Sequence, residues 1–95
     1  MQLVWSLRAN RDLDHIYDFI SRDNPRAAID MLDTILLAAE NLTQHPKIGR
    51  RGRVESTHEL VIPNTPYVII YIFARPIIEI AAILHQSRQW PEDFG

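Results

Sequence analysis

The sequence contains no cysteine and only three glycines among its 95 residues. Without cysteine, neither disulfides nor thiolate zinc sites can stabilise the fold, so stability must come from apolar packing. The longest apolar stretches, residues 67–74 and 80–84, are far shorter than the roughly 20 residues of a membrane-spanning helix. The first seven residues also lack the basic and apolar regions of a signal peptide. We therefore expect a cytoplasmic protein.

A strongly positive charge is also missing, since the formal net charge is −2 and the pI is about 6.0. This balance argues against attraction of nucleic acid over the whole surface. The charge is unevenly distributed, however. Residues 1–44 carry four Lys/Arg and seven Asp/Glu, whereas residues 45–95 carry six and five. Four of those six basic residues fall within seven positions and predict a local basic patch: Lys47, Arg50, Arg51 and Arg53.

The first half of the chain predicts a strand and two helices. Alternating apolar residues over 2–7 indicate a short strand. Apolar residues then recur at helical spacing over 9–20 and 25–44, and the short connection between them implies an antiparallel helical hairpin. Ser6 and Asn24 suit the N-cap positions of these helices, because their side-chain oxygens can accept from free backbone N–H groups.

The second half is rich in β-branched and aromatic residues, as half-buried strands require. We predict three strands over residues 58–62, 67–73 and 77–84, joined by turns and therefore antiparallel. The glycine- and arginine-bearing segment 47–56 is predicted to be a loop. The fold class is therefore α+β: an N-terminal strand, an antiparallel two-helix hairpin, then a three-stranded antiparallel sheet, all in a single domain over residues 1–95.

Strict alternation along the last strand predicts which side chains share a face of the sheet. One face is expected to carry Ile78, Ile80, Ala82 and Leu84. The other face is expected to carry Ile77, Glu79, Ala81, Ile83 and His85.

Five short motifs occur in order along the chain: residues 12–16 (DLDHI), 46–50 (PKIGR), 57–61 (THELV), 66–71 (PYVIIY) and 83–91 (ILHQSRQWP). Together they resemble the RelE/ParE toxin superfamily, and the similarity covers essentially the whole chain. The resemblance implies the toxin component of a type II toxin–antitoxin system. Such a toxin is neutralised by a cognate antitoxin in a hetero-oligomer and uses no cofactor.

The superfamily divides by mechanism. RelE-like members cleave mRNA on the ribosome, whereas ParE-like members inhibit DNA gyrase and carry no known hydrolytic site. RelE-like nucleases usually carry an arginine where this chain has Val68, and they are usually strongly basic. Both differences favour a ParE-like gyrase inhibitor that acts by binding. The alternatives are a ribosome-dependent mRNA endonuclease and a degenerate relative that binds without toxicity.

RNA cleavage through 2′-OH attack needs groups that transfer protons and cations that stabilise the phosphorane charge. If the chain is a nuclease, His85 is the candidate for proton transfer, because histidine side chains ordinarily exchange protons near neutral pH. Arg53 and Arg88 are the candidates for phosphate binding. Glu59 or His58 is the candidate for the second proton-transfer group. His85 can equally form a structural hydrogen bond at the sheet edge.

Target binding is expected to use the basic patch together with the chain's end: Lys47, Arg50, Arg51, Arg53, Arg88 and Trp90. Four cations in one loop repel one another unless an anionic group lies nearby, and Glu55 is one residue that can balance them. Trp90 can equally anchor the tail on the core. No histidine has metal-ligand spacing with another histidine or carboxylate, so no metal site is predicted.

Overall fold

In the part of the chain that the structure describes, one strand is followed by two helices and then by four strands. The computed structural model describes residues 1–87. Its elements are β1 (Gln2–Trp5), α1 (Leu7–Ser21), α2 (Pro25–Asn41), β2 (Arg50–Arg51), β3 (His58–Val61), β4 (Tyr67–Ala74) and β5 (Ile77–His85). The predicted α+β fold, with a helical hairpin between the first strand and the later ones, is confirmed.

The sheet is larger than predicted. It has five strands in the order β1-β5-β4-β3-β2, and β1 pairs with β5 in parallel while every other pair is antiparallel. The helical hairpin between β1 and the later strands is long enough to return the chain for parallel pairing. The additional strand β2 lies in the predicted loop. It was missed because two residues are too few to show an alternating pattern.

Both helices begin at the predicted N-caps. The Ser6 hydroxyl accepts from the Ala9 N–H at 3.0 Å, and the Asn24 side chain accepts from the Ala27 N–H at 3.1 Å. Such a cap contributes about 1 kcal/mol. The second helix ends at Asn41 rather than at residue 44, and turns continue the chain from there. Within residues 1–87, neither helix has the length and apolar character needed to cross a membrane.

The two faces of the sheet are buried differently. Both helices pack on one face, which we call the helix face, and their buried residues form one core with it: Ala9, Leu13, Ile16, Ile35, Ala39, Leu42, Ile62, Tyr67, Ile69, Tyr71, Ile78, Ile80 and Ile83. The opposite face, which we call the back face, has a smaller cluster of buried residues: Val68, Ile70, Ala82 and Leu84. Among residues 1–87, this smaller cluster includes no helical residue.

A β-bulge at Ala81 changes which face the end of β5 presents. Tyr71 pairs with Ile80 and Ile70 pairs with Ala82, so Ala81 is an extra residue on β5. Beyond the bulge, His85 pairs with Tyr67 and shares the helix face with it. The predicted alternation is therefore correct as far as Ile80 and wrong beyond it, because a single extra residue reverses every later side chain.

The N-terminal end of α1 holds this bulge in place. The Ser6 N–H donates to the Ile80 carbonyl at 3.0 Å, and its hydroxyl donates to the Ala81 carbonyl at 2.9 Å. The Ile83 N–H donates to the Asp12 carboxylate at 2.9 Å, and Arg8 pairs with that carboxylate at 3.1 Å. Polar groups at the bulge are thus satisfied by the N-cap residue Ser6 and by the Asp12 side chain of α1.

Candidate functional site

The basic segment begins with a rigid loop that is attached to β4 through Tyr71. The Tyr71 hydroxyl donates to the Pro46 carbonyl at 2.8 Å and accepts from the Gly49 N–H at 3.0 Å. Burial raises the pKa of this hydroxyl, and the Gly49 hydrogen bond opposes that rise. The hydroxyl therefore stays protonated near neutral pH and remains a donor.

Glycine at position 49 is required by the closeness of this contact. A Cβ atom there would lie 2.6 Å from the Tyr71 hydroxyl oxygen and 2.8 Å from the Glu59 carbonyl oxygen. Both distances are shorter than real Cβ contacts, so a larger residue would push the loop away from the sheet. The His58 ring stacks on the aromatic ring of Tyr71, with ring centres 5.3 Å apart.

Two of the four cations in the basic segment are paired with one buried carboxylate. The Glu59 side chain is only 2% exposed, and Arg50 Nη2 lies 3.1 Å from its Oε1. Its Oε2 accepts from the Arg53 N–H at 2.9 Å, with Arg53 Nε 4.0 Å away. Glu59, rather than the predicted Glu55, is thus the anion that relieves repulsion in the patch. The two arginine side chains remain about 60% exposed.

The basic patch does not form a single cationic edge, because its residues lie in three places. Arg50 pairs with Glu59 in the β2–β3 ladder and shares the back face with it. Arg51 pairs with His58, which stacks on Tyr71, and therefore shares the helix face. Lys47 lines a groove at the C-terminal end of α2.

His85 is half-buried at the end of β5 and is held by local contacts. Its Nδ1 accepts from the Ser87 N–H at 3.2 Å and lies 2.8 Å from the Ser87 hydroxyl. Its ring meets the Tyr67 ring edge-on, with centres 5.6 Å apart. Since a backbone N–H can only donate, Nδ1 must be the acceptor nitrogen in this contact. The other ring nitrogen, Nε2, is the one left for other partners.

Among the described candidates for catalysis, Glu59 and Arg53 do not meet His85 at one centre; His58 shares the helix face with His85 but lies two strands away and five residues further along β5. His85 lies on the helix face, whereas Glu59 lies on the back face beside Ile70. Their backbones are also separated by two strand spacings and three residues along β5, about 10 Å in each direction. An acid and a base acting on one bond must both reach the reacting atoms within about 3 Å. Arg53, whose N–H donates to Glu59, lies with the carboxylate and not with His85.

Two of the predicted site residues, Arg88 and Trp90, lie outside the described residues. Among residues 1–87, no group of three or more His, Asp or Glu side chains is arranged to hold a metal ion.

Sequence reasoning missed two residues that organise this surface. Arg75, on the turn between β4 and β5, lies beside Lys47 and His45 although it is far away in the sequence. Tyr71 was assigned to the core, and its hydroxyl contact with the loop was not foreseen. An available signal was Gly49 itself, because an isolated glycine next to a strand indicates close approach of another group.

Residues 3–90 match the family model described as the ParE toxin of the type II toxin–antitoxin system parDE. The Y4kP protein of Sinorhizobium fredii is 42% identical over 91 residues, which cover 96% of this chain and 94% of that protein. Toxin RelE2 of Caulobacter vibrioides is 37% identical over 87 residues, covering 92% and 97% respectively.

A solved structure from the chromosomal ParDE toxin–antitoxin system of P. aeruginosa has the same fold. The TM-score is 0.80 at 25% identity, and the match covers 90% of this chain and 95% of that one. The family match includes both helices, four of the described strands and all of β1 except Gln2. The chain therefore belongs to the ParE toxin family of type II toxin–antitoxin systems.

Proposed function

We propose that this toxin acts by binding DNA gyrase and blocking it, and not by cutting mRNA. The observation that carries this proposal is the separation of His85 from the candidate nuclease residues Glu59 and Arg53. His85 and Glu59 lie on opposite faces of the sheet, and the Arg53 N–H donates to Glu59, so this geometry does not favour joint action on one phosphodiester. A toxin that acts by binding needs no such convergence.

The environment of Val68 supports the same proposal. Val68 stands where RelE-like nucleases usually carry an arginine, and here it is 2% exposed among the apolar residues Ile70 and Leu84. A cation at this position would have to be buried without a partner, which costs several kcal/mol. This position therefore supplies no phosphate-binding group to either face.

Surface charge also favours a protein target over the ribosome. The net charge of −2 gives little general attraction to RNA, which depends on neutralising many phosphates. Two of the patch arginines are already partly neutralised by Glu59. What remains is a small number of exposed cations, which suits steering toward a limited acidic surface of a protein.

We also propose a cognate antitoxin that binds the helical hairpin and forms a hetero-oligomer with the toxin. Helix α2 leaves Ile29, Leu36 and Leu37 between 43% and 71% exposed, and their spacing of seven and eight residues places them along one side of the helix. An apolar strip of this kind is a docking site for an amphipathic partner segment. The P. aeruginosa neighbour comes from a system named for both components, toxin and antitoxin.

A supercoiling assay tests the target. Purified toxin is added in excess to gyrase and relaxed plasmid, and we expect loss of supercoiling that is restored when the antitoxin is added first. Full supercoiling at excess toxin would reject gyrase as the target.

Primer extension on transcripts after induction is the companion measurement, because new cut ends inside reading frames arise only from a nuclease. Normal host growth upon induction would instead indicate a degenerate binding module.

A further inference from the structure

A groove of about 720 Å³ lies where the C-terminal end of α2 meets the turn between β4 and β5. Six residues line it: Asn41, His45, Pro46, Lys47, Ile48 and Arg75. Two of them are permanently cationic near neutral pH and a third is a histidine. Among the described residues, no acidic side chain lines this groove. The charged side chains that line the groove are therefore basic, on a chain whose net charge is negative.

The two cations of the groove differ from those on β2. Lys47 and Arg75 are exposed, and neither forms an ion pair within residues 1–87, whereas Arg50 is paired with Glu59. The Arg75 guanidinium lies 5.8 Å from the centre of the Phe73 ring, a cation–π contact that orients it. As far as the described part of the chain shows, both charges are thus available to an external anionic group.

The groove also has apolar lining, on a loop that is hydrogen-bonded to the sheet. Ile48 is 54% exposed. It lies on a loop that is attached to the sheet, because the Tyr71 hydroxyl forms hydrogen bonds with both Pro46 and Gly49. A backbone hydrogen bond from Ile48 to His45 closes the loop further. A surface that is already ordered loses little conformational entropy when a ligand binds, so less of the contact energy is spent on ordering the loop.

We propose that this groove binds an acidic peptide segment with an apolar side chain, contributed by the toxin's protein target; this rests on the function proposed above. The carboxylates of the segment meet Lys47 and Arg75, and its apolar side chain covers Ile48. A phosphate backbone would leave Ile48 uncovered. The C-terminal end of α2 carries a partial negative charge of about one half, which the two full positive charges exceed.

The chain's own charge distribution directs such a segment to the groove. Residues 1–44, which include both helices, carry seven acidic and four basic residues. An acidic segment is therefore disfavoured along the hairpin, where the apolar strip of α2 is proposed to bind the antitoxin. The groove and the strip would then serve two different partners.

Binding is tested with a short fluorescein-labelled peptide in which glutamates surround a central leucine. Fluorescence anisotropy should show binding to the intact toxin that weakens with salt. Lys47→Glu and Arg75→Glu should each lower affinity about fivefold, since an attraction becomes a repulsion. Ile48→Ser should lower it with less salt dependence. Arg11→Glu is the matched control, because it makes the same charge change at an exposed position of α1 and should bind as the intact toxin does.

Three results would overturn the proposal: unchanged binding by the groove variants, equal binding of a lysine-for-glutamate peptide, or displacement of the peptide by RNA or DNA. Loss of antitoxin binding in Arg75→Glu, with gyrase inhibition retained, would also overturn it by assigning the groove to the antitoxin. The supercoiling assay separates the two proposals. If the intact toxin binds the peptide through Lys47 and Arg75 yet leaves gyrase active, the groove is supported and gyrase is rejected.

Discussion

The two faces of the sheet are built on different principles. The helix face is a large apolar core closed by two helices, and His85 lies at its margin beside Tyr67. The back face has four buried apolar residues and, next to them, the buried carboxylate of Glu59 with its two arginines. One face thus provides stability, and the other carries organised charge.

The bulge at Ala81 is what separates these two sets of side chains. With uninterrupted alternation from Ile80, His85 would point to the back face, the same face as Glu59. The extra residue turns His85 to the helix face instead. The position of one residue therefore decides whether a histidine and a carboxylate can share a site, and here it keeps them apart.

The largest effect is expected from truncating matched isoleucines on the two faces. Ile80 and Ile70 are both 0% exposed, on the helix face and the back face respectively. We expect Ile80→Ala to lower the free energy of unfolding by about 2–5 kcal/mol, because the cavity lies under two helices that cannot easily collapse into it. Ile70→Ala should lower the free energy of unfolding by less, because the cluster of buried residues around it includes no helical residue among residues 1–87. Urea denaturation measures both, and a larger loss for Ile70→Ala would reverse the proposed difference between the faces.

The next largest effect is expected at the hydrogen bond between Asp12 of α1 and the bulged strand β5. Asp12→Ala removes the acceptor of the Ile83 N–H and should lower stability by about 1–3 kcal/mol, since a partly buried donor is left without its partner. Asp14→Ala, on an exposed position of the same helix, should change stability by less than about 0.5 kcal/mol. Equal effects in the two variants would show that α1 does not hold the bulge.

Removal of the Tyr71 hydroxyl tests the link between the sheet and the basic loop. Tyr71→Phe deletes the hydrogen bonds to Pro46 and Gly49 and should cost about 1–3 kcal/mol. Hydrogen exchange at Gly49 should accelerate. Tyr17→Phe, at a more exposed position on α1, is the control and should leave both measurements nearly unchanged.

The same tyrosine gives a pH dependence with a definite sign. Burial raises the pKa of Tyr71 above its ordinary value of 10.0, so the folded state retains this proton more strongly than the unfolded state does. Its contribution to stability is present below pH 10 and is lost as the pH rises through the folded-state pKa. Stability measured across this range should fall more steeply for the intact protein than for Tyr71→Phe. Parallel curves would contradict the assignment.

The smallest effect on stability is expected at Glu59. Glu59→Gln keeps an acceptor for the Arg53 N–H but loses the charge that pairs with Arg50, and because both arginines are well exposed the cost should stay below about 1 kcal/mol. Gyrase inhibition should weaken clearly even though the free energy of unfolding changes little, because the two arginines lose the carboxylate that fixes their positions. Glu55→Gln is the matched control. If it weakens inhibition as much, Glu59 does not organise the patch.

The order of elements could be predicted because it depends on local patterns. Helical spacing of apolar residues, the caps Ser6 and Asn24, and runs of β-branched residues each act within a few positions. The two-residue strand β2 and the parallel pairing of β1 with β5 depend on contacts distant in the sequence, and these leave no local signal.

For the candidate site, the sequence could predict which residue types are present but not where the fold places them. The sequence shows four cations close together, but their distribution over two faces and a groove depends on strand register. The buried Glu59 could not be told from an exposed carboxylate without knowing that it pairs with Ile70 on the back face. Likewise, Asp12 and Ser6 act on a bulge that no pattern in β5 reveals.

The most direct test of the central claim is the toxicity of a His85→Ala variant. The toxin is induced in the host without antitoxin, and growth is compared with that of the intact toxin at equal protein level. Because His85 and Glu59 lie on opposite faces, the variant should arrest growth as fully as the intact toxin does. Loss of growth arrest in a variant that remains folded and still binds the antitoxin would contradict a mechanism based on binding alone.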